Sequence, residues 1–363
     1  MEFYFLIFTF FGIFAFLEIW GAKKSTIIPI FLSLSFFLYI LSFIRWETGT
    51  DWSTYEFFFS RITGWFGESE YEWGFARLNE FVKIVFDNYS VLLFILGTIL
   101  FIFQTKAIYN FSCYPLTSLW LLWCISLGNV FFVRQTVATV LMFYSIKFIQ
   151  EKKLYYFCFF IFLAMLFHRT SLVFVFAWWL YRSKITISKM FLIIVLSIVF
   201  SFLIGIIIGK LGETLGGIFQ QKVDVYFADS DATYGMEVSK EMLVIRAVLN
   251  KGFIFFVSLY MLKKIELKNK EYRGFLNLYW FGMVLYFSTV SISIVLARLA
   301  TVYDLTLIIL IAFILKYADN IYEKLFLFLC FSGYFILKLY STINLYYDVY
   351  VPFKTIFYCL RCV

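Results

Sequence analysis

The chain has few charged residues. Only 15% of its 363 residues are Asp, Glu, Lys or Arg, whereas 63% are hydrophobic and 24% are aromatic, and the mean hydropathy is +0.87. A soluble domain cannot hide this much apolar surface in its interior, which excludes a soluble protein. The net charge of +8 does not indicate a nucleic-acid-binding protein, because the lysines occur in short clusters between apolar runs, as topology signals do.

Proline, histidine and known catalytic motifs are also scarce. The three prolines predict few helix kinks. Neither GxxxxGK[ST] nor HExxH occurs, so nothing indicates a P-loop ATPase or a zinc protease of that type. Most of the six cysteines lie inside apolar runs and indicate core packing. The lone pair Cys359 and Cys362 cannot complete a four-ligand zinc site, and we expect neither a metal nor a cofactor.

Long apolar runs are what the sequence does contain. Runs of about 18–20 residues recur, each long enough for a helix to cross a hydrocarbon core of about 30 Å. They are continuous rather than alternating, which favours helices over a β-barrel. The first run, from Phe3 to Trp20, lacks a basic leading segment and a cleavage site, so we interpret it as a retained helix. The pattern predicts an all-α polytopic integral membrane protein, with about 12 transmembrane helices in a single domain over residues 1–363.

The lysines indicate the orientation of these helices. If Lys23 and Lys24 are cytoplasmic and the chain crosses at each run, most later lysines fall on the same side, as the positive-inside rule requires. This places the N-terminus outside and, with an even number of spans, the C-terminal tail outside too. Two polar segments, 45–87 and 209–241, then also lie outside. We expect the second either to fold over the outer face as a lid or to be a passive connector.

Several arginines stand at the outer ends of apolar runs, where positive charge is not expected. Arg45, Arg134 and Arg298 could converge on one anionic ligand, because a guanidinium makes paired hydrogen bonds to phosphate oxygens. The alternative is that each arginine reaches lipid headgroups at the membrane interface. We favour a pyrophosphate site, with Arg169 and Arg246 as further candidate anion contacts.

Three residues near the predicted outer boundary are candidate proton acceptors: Asp51, Glu72 and His168. A carboxylate beside arginines can accept a proton from an attacking hydroxyl, and histidine is a natural base near neutral pH. Each residue has a structural alternative. Asp51 could cap a helix that starts after it, Glu72 could pair with Arg77 or Arg61, and the only histidine could be a structural hydrogen bonder.

Aromatic residues are frequent in the 45–87 segment. Trp52, Tyr55 and Trp73 are candidate sugar contacts, because an aromatic ring packs against the apolar face of a sugar while neighbouring polar groups bind its hydroxyls. The alternative is the aromatic belt found at the interface of any membrane protein.

Four short motifs together resemble one family. They are Arg45-x-x-x-Gly49-Thr-Asp51-x-x-x-Tyr55, Glu72-Trp-Gly-Phe75, Arg134-Gln135 and His168-Arg-Thr-Ser171. They are similar to the EpsG-like branch of Wzy-type polysaccharide polymerases. The resemblance spans most of the chain, including the first two apolar runs and the Lys-Lys turn between them. The 209–241 segment and the last 60 residues or so match only in general character.

The resemblance implies an integral glycosyltransferase with GT-C-like architecture in the bacterial cytoplasmic (inner) membrane. Such proteins join repeat units of O-antigen lipopolysaccharide, capsule or exopolysaccharide on the outer, periplasmic face. They transfer the growing glycan from undecaprenyl pyrophosphate to the non-reducing end of an incoming lipid-linked repeat unit. The implied partners are undecaprenyl-pyrophosphate-linked glycans, membrane lipids and a polysaccharide chain-length regulator, and no nucleic acid.

The residues fit this chemistry. The outer arginines would stabilise the leaving pyrophosphate without a metal. Asp51, then His168, then Glu72 is our order of preference for the base. Two alternatives stay open: a lipid-linked glycan ligase or sugar acyltransferase, and a flippase or transporter of lipid-linked sugar. A transporter should carry polar residues deep in the membrane. Asp304, six positions after Arg298, is the main residue of that kind.

Overall fold

The computed structural model describes residues 1–131, 133–215, 240–290 and 294–359. Throughout these ranges the regular structure is helical, without a β-strand, and the only bridge pairs Arg45 with Thr355. This confirms the predicted all-α class. The α-helices are α1 (Glu2–Trp20), α2 (Lys24–Ile44), α3 (Trp52–Ser60), α4 (Trp73–Phe86), α5 (Tyr89–Phe111), α6 (Pro115–Ser126), α7 (Arg134–Gln150), α8 (Leu154–Met165), α9 (Ala177–Leu180), α10 (Ile187–Leu215), α11 (Lys240–Glu266), α12 (Glu271–Thr289), α13 (Ile294–Ala297), α14 (Thr301–Asp304), α15 (Thr306–Lys316), α16 (Ile321–Leu345), α17 (Tyr347–Tyr350) and α18 (Ile356–Cys359).

Six helical segments of the described chain are long and apolar enough to cross a membrane. They are Glu2–Trp20, Lys24–Ile44, Tyr89–Phe111, Glu241–Glu266, Arg298–Lys316 and Ile321–Leu345. Three shorter apolar segments accompany them: Leu154–Met165, Arg169–Leu180 and Ile187–Leu203. The protein is therefore a multi-pass membrane protein. The count of about 12 spans and the GT-C-like architecture stay predictions.

The chain divides into two compact units. Unit 1 contains Met1–Val175 and Ile311–Val363, and unit 2 contains Phe176–Leu310. The predicted single transmembrane domain stays a prediction. The predicted outer segment 209–241 also stays a prediction, and its first residues continue α10 to Leu215. Its remaining residues 216–239, on which a lid would depend, lie outside the described residues.

Helix α6 forms the centre of unit 1. It packs against α1, and its indoles donate to backbone carbonyls of α1: Trp120 Nε1 to Phe8 O at 3.1 Å and Trp123 Nε1 to Tyr4 O at 3.1 Å. The first turn of α6 is capped from α1, since the Glu18 carboxylate accepts from backbone N–H groups of α6. Polar groups that lipid cannot hydrogen-bond are thus paired inside the protein.

Several chain segments lie together at one end of unit 1. The hydroxyl of Tyr4 near the start of α1 donates to Tyr350 O at 2.6 Å. Just after α2, the Trp46 N–H donates to Lys354 O at 3.0 Å. The Arg45 side chain reaches Phe131 O, shortly before α7. The start of α1, the end of α2, the start of α7 and the C-terminal segment therefore lie at the same end, which also carries the candidate site.

Unit 2 is built around α12, which packs against α10 and α11. Trp280 Nε1 donates to Met190 O of α10 at 3.0 Å, and the Tyr272 hydroxyl donates to Ser258 O of α11 at 2.8 Å. Tyrosine and tryptophan thus bury their rings while satisfying their polar atoms.

Candidate functional site

The segment after α2 is folded rather than extended. It contains α3 and α4, and Asp51 and Glu72 are the residues that directly precede these two helices. Neither side chain caps its own helix. The helix start after Asp51 is where the sequence predicts it, but the alternative role of Asp51 as a side-chain cap is not realised. Both carboxylates are therefore available for other contacts.

Glu72 forms an ion pair with Arg134. Arg134 Nη1 donates to one carboxylate oxygen of Glu72, and the backbone N–H of Arg169 donates to the other at 3.0 Å. The side chains are largely buried, 10% and 18% exposed for Glu72 and Arg134. The structural alternative, a pair with Arg77 or Arg61, is not formed, because Arg77 pairs with Glu80. Glu72 thus joins the starts of α4 and α7 to the segment that follows α8.

Gly74 makes this approach of segments possible. A β-carbon at Gly74 would lie 2.6 Å from Leu166 Cβ and 2.9 Å from Leu166 O. The next residue, Phe75, donates its N–H to that same carbonyl at 3.0 Å. Only a residue without a side chain fits between these backbones. The glycine of the Glu-Trp-Gly-Phe motif therefore brings Glu72 within reach of Arg169.

Two tyrosines flank the guanidinium of Arg134. Its Cζ lies 4.8 Å from the ring centre of Tyr71 and 5.9 Å from that of Tyr55. Burial raises the pKa of Tyr55 to about 12, more than the nearby Arg134 charge lowers it. Burial also raises the pKa of Tyr71. Both phenols are thus neutral at physiological pH, and they lie next to the guanidinium without adding a charge to the site.

Asp51 acts on these tyrosines through its charge. Its partly buried carboxylate contributes to the raised pKa of both Tyr55 and Tyr71. Within the described ranges it accepts no hydrogen bond, whereas both oxygens of Glu72 are engaged. The arrangement therefore provides one carboxylate that orients an arginine and a second that is uncommitted.

Arg45 occupies a different environment. It is only 1% exposed, and its guanidinium donates to three backbone carbonyls: Ser42 O at 3.2 Å, Thr48 O at 2.8 Å and Phe131 O at 2.9 Å. Buried carbonyls need such donors. These contacts favour a structural role for Arg45, and its predicted contact with pyrophosphate stays a prediction.

His168 and Arg169 follow α8. His168 Nδ1 lies 2.6 Å from Thr170 Oγ1, and its carbonyl accepts from Ser171 Oγ at 2.7 Å, which folds the His-Arg-Thr-Ser motif into a tight turn. The turn directs the Arg169 N–H to Glu72, while the Arg169 side chain is exposed. The predicted roles of His168 as a base and Arg169 as an anion contact stay predictions.

The predicted sugar contacts differ in access. Trp52 is buried, with its ring 4.9 Å from that of Trp46 and 5.4 Å from that of Tyr89. Tyr55 is buried against Tyr71, and only Trp73 is exposed, at 63%. The structure does not test sugar binding by these three residues, but it presents just one of their rings to the outside.

Arg298, Arg246 and Asp304 belong to unit 2. Arg298 begins a short 3-10 turn, and it and Arg246 on α11 are exposed. Asp304 binds Lys251 of α11, with Nζ 2.5 and 2.6 Å from its two carboxylate oxygens. Asp304 stands out in the sequence as a charge within an apolar run, whereas its partner Lys251 was not predicted. The signal for Lys251 was its position inside a long apolar run, since a charge there requires a partner.

The described ranges contain no group of three or more His, Cys, Asp or Glu side chains placed to hold a metal ion. The Cys359–Cys362 motif extends beyond them, because residues 360–363 are not described. Cys113, Cys124, Cys158 and Cys330 are free thiols.

Comparisons with known proteins identify the family. The profile of the EpsG family matches residues 28–355, which include every candidate site residue from Arg45 to Arg298. Comparisons with curated proteins and with solved structures gave no significant match. The family match confirms the resemblance noted from the four motifs, and the chain belongs to the EpsG family.

Proposed function

We propose that the protein is a membrane glycosyltransferase that polymerises oligosaccharide repeat units carried on undecaprenyl pyrophosphate. It would build O-antigen or a related surface polysaccharide on the periplasmic face of the inner membrane. Membership of the EpsG family supports a polysaccharide polymerase. The observation that carries the proposal is the Glu72–Arg134 pair, which holds a guanidinium between two tyrosines at one end of unit 1.

In this reaction the bond from C1 of the donor sugar to a pyrophosphate oxygen breaks, and negative charge develops on the leaving group. A guanidinium has five N–H donors, and Glu72 engages only part of those on Arg134. Arg134 is also the first residue of α7, where the helix dipole favours an anion. The exposed side chain of Arg169 would add a second cation, so charge stabilisation needs no metal.

The attacking hydroxyl of the acceptor sugar forms the new bond to C1 and loses its proton. Asp51 is the proposed acceptor of that proton, because its charge acts on both tyrosines that flank Arg134 and its carboxylate is uncommitted among the described contacts. Glu72 fits a positioning role, since both of its oxygens already accept hydrogen bonds. His168, adjacent to Arg169, is the second candidate base.

Surface polysaccharide from cells that lack the native copy tests the proposal. Arg134→Ala and Arg134→Lys should both remove the ladder of glycan lengths on a gel while single repeat units are still made, because lysine cannot replace a forked donor. Arg182→Ala is the matched control, since that exposed guanidinium packs on Trp178 in unit 2. A normal ladder in Arg134→Ala, with normal membrane levels of the protein, would refute the proposal.

The same assay can distinguish the roles of the two carboxylates, Asp51 and Glu72. Asp51→Asn should abolish polymerisation whatever the substrate concentration, because the base is lost. Glu72→Gln keeps a hydrogen-bond acceptor for Arg134 and should retain part of the ladder. If Glu72→Gln impairs polymerisation more than Asp51→Asn does, Glu72 is the base and Asp51 is the positioning residue.

One observation favours a second candidate function, transport of lipid-linked sugar. The Lys251–Asp304 pair joins α11 to the Arg298–Lys316 span, and transporters place such groups within the membrane. If transport is the function, Lys251→Met with Asp304→Asn should stop single repeat units from reaching the outer face. If the protein is a polymerase, single repeat units should still reach the outer face in this variant.

A further inference from the structure

A cleft of about 700 Å³ lies between α3 and the loop that leads to α4. Binding sites for small ligands typically enclose about 300–1,000 Å³, so the cleft has the size of a ligand site. Phe57, Phe58 and Arg61 line one side, and Trp65, Glu70 and Tyr71 line the other. The predicted sugar contacts Trp52, Tyr55 and Trp73 are not part of its lining.

The loop side of the cleft is held in place from α4. The buried carboxylate of Glu80 accepts from the Phe66 N–H at 3.1 Å and pairs with Arg77 at 2.7 Å. Arg77 in turn donates to Gly67 O at 2.8 Å. These contacts fix the backbone around Trp65, so the cleft is formed before any ligand binds, which lowers the entropic cost of binding.

The lining combines aromatic rings with carboxylates. Phe57 and Trp65 are each 53% exposed, and indole and phenyl faces pack against the apolar face of a sugar ring. The exposed carboxylates of Glu68 and Glu70 can accept hydrogen bonds from sugar hydroxyls.

The charge of the cleft selects against anions. Arg77 neutralises Glu80, so Glu68 and Glu70 face the single cation Arg61 and leave one excess negative charge. This excess disfavours phosphate, anionic lipid headgroups and uronic acids. An uncharged sugar is the ligand class that the lining fits best.

Tyr71 connects the cleft to the Glu72–Arg134 pair. Its ring lines the cleft and also lies 4.8 Å from the Arg134 guanidinium. A sugar chain that occupies the cleft can therefore extend past Tyr71 towards Arg134. The acidic, aromatic cleft and the cationic pocket are neighbouring parts of one surface with different chemistry.

We propose that this cleft binds an uncharged segment of the glycan while the pyrophosphate lies at Arg134. The inference rests on the proposed function, because it assigns the glycan part of the same lipid-linked substrate. It places sugar recognition on Trp65 and Phe57 rather than on the three aromatic residues that the sequence suggested.

Binding to the purified full-length protein in lipid nanodiscs tests the inference without catalysis. The probe is the neutral fraction of lipid-free oligosaccharides, one to three repeat units long, released by mild acid from the cell's own surface polysaccharide. Saturation-transfer NMR should show contact with the wild type. Trp65→Ala should weaken binding about tenfold, and Trp65→Phe should restore most of it. Inorganic pyrophosphate should not compete.

Trp73→Ala is the matched control, because Trp73 is as accessible as Trp65 but lies outside the cleft. It should bind the oligosaccharides like the wild type. Absence of binding to the wild type, or equal losses in the Trp65 and Trp73 variants, would overturn the inference.

Arg134→Ala separates this inference from the proposed function. It should bind the lipid-free oligosaccharides normally although it makes no ladder. If its ladder persists while Trp65→Ala loses binding, the cleft stands and the proposed mechanism fails. If its ladder is lost while Trp65→Ala binds normally, the mechanism stands and the cleft assignment fails.

Discussion

The guanidinium of Arg45 fills the space that a β-carbon on Gly49 would need. Such a carbon would lie 2.9 Å from Arg45 Nη1 and 2.8 Å from Phe131 O, the carbonyl to which that nitrogen donates. Gly49 also has a φ of 112°, in the left-handed region. The turn after α2 therefore requires glycine both for its backbone conformation and for its lack of a side chain.

Replacing Gly49 with alanine should destabilise unit 1. The substitution forces a side chain into a left-handed residue and against Arg45, which costs about 1–3 kcal/mol or more. Thermal unfolding of the purified protein in detergent measures the loss. Gly333→Ala is the control, because nothing lies within 4 Å of the site of its added β-carbon and alanine favours the interior of α16. Equal melting temperatures for the two variants would contradict the packing described.

Arg45 and Arg134 should respond differently to the same substitution. Arg45→Met leaves three buried carbonyls without their donor, so we expect a clear loss of thermal stability and of protein in the membrane. Arg134→Met, made together with Glu72→Gln so that no buried carboxylate is left unpaired, should keep most of the stability and lose the glycan ladder. A stable Arg45→Met protein without a ladder would instead show that Arg45 contacts the substrate, as the sequence suggested.

The fold class could be predicted from the sequence because lipid leaves the backbone few options. Continuous apolar runs in a bilayer must form helices, which satisfy their own hydrogen bonds. The helix boundaries were harder to predict from the sequence. The polar pair His168-Arg169 marks in the sequence where the apolar stretch is interrupted after α8. Hydropathy alone does not report the 3-10 conformation of the following segment, Arg169–Phe176, or the extension of α10 to Leu215.

The site was only partly predictable. Arg134 and Arg169 stand out in the sequence because they lie at the outer ends of apolar runs, where positive charge is not expected. Glu72 stands out as the acidic residue of the Glu-Trp-Gly-Phe motif. The pairing of Glu72 with Arg134 could not be predicted, because the two residues are 62 positions apart. Arg77 is much nearer to Glu72 in the sequence and was a candidate partner. The burial of Arg45 depends on where backbone carbonyls point, which no spacing of residues encodes.

Gly74→Ala should reduce polymerisation more than it reduces stability. The added methyl would meet Leu166 at 2.6 Å and must separate α4 from the end of α8, moving Glu72 away from the Arg169 N–H. We expect a weaker or shorter glycan ladder at normal membrane levels, because small displacements at a site are costly for catalysis. Gly252→Ala, whose added carbon would make only an ordinary 3.7 Å contact with Phe256, should leave the ladder unchanged. The same ladder in both variants would refute this role of Gly74.

The Lys251–Asp304 pair should contribute strongly to the stability of unit 2. Asp304→Asn leaves the Lys251 ammonium without its carboxylate, at a cost of about 3–5 kcal/mol. Lys251→Met in the same chain removes the unpaired charge and should recover much of the loss. Lys354→Ala is the control, because the Lys354–Glu47 pair is much more exposed and such pairs contribute about 0–1 kcal/mol. Unfolding free energies in detergent compare the wild type, the two single variants of the pair, the double variant and Lys354→Ala. Losses of the two single variants that add up in the double variant would contradict the pairing.

The raised pKa of Tyr55 predicts a stability change at alkaline pH. Burial moves this pKa from 10.0 to about 12. Between these values the unfolded chain releases the phenol proton and the folded chain keeps it, so folding loses stability as the pH rises. Two pKa units correspond to at most about 2.7 kcal/mol.

The unfolding free energy of the wild type should therefore fall more steeply from pH 10 to pH 12 than that of Tyr55→Phe. The difference between the two falls should be about 1–2 kcal/mol, because the site is not fully enclosed. Below pH 10 the two curves should run parallel, because Tyr55 is neutral in both the folded and the unfolded chain. Parallel curves over the whole range would mean that Tyr55 is accessible to water, and the enclosed pocket around Arg134 would then have to be revised.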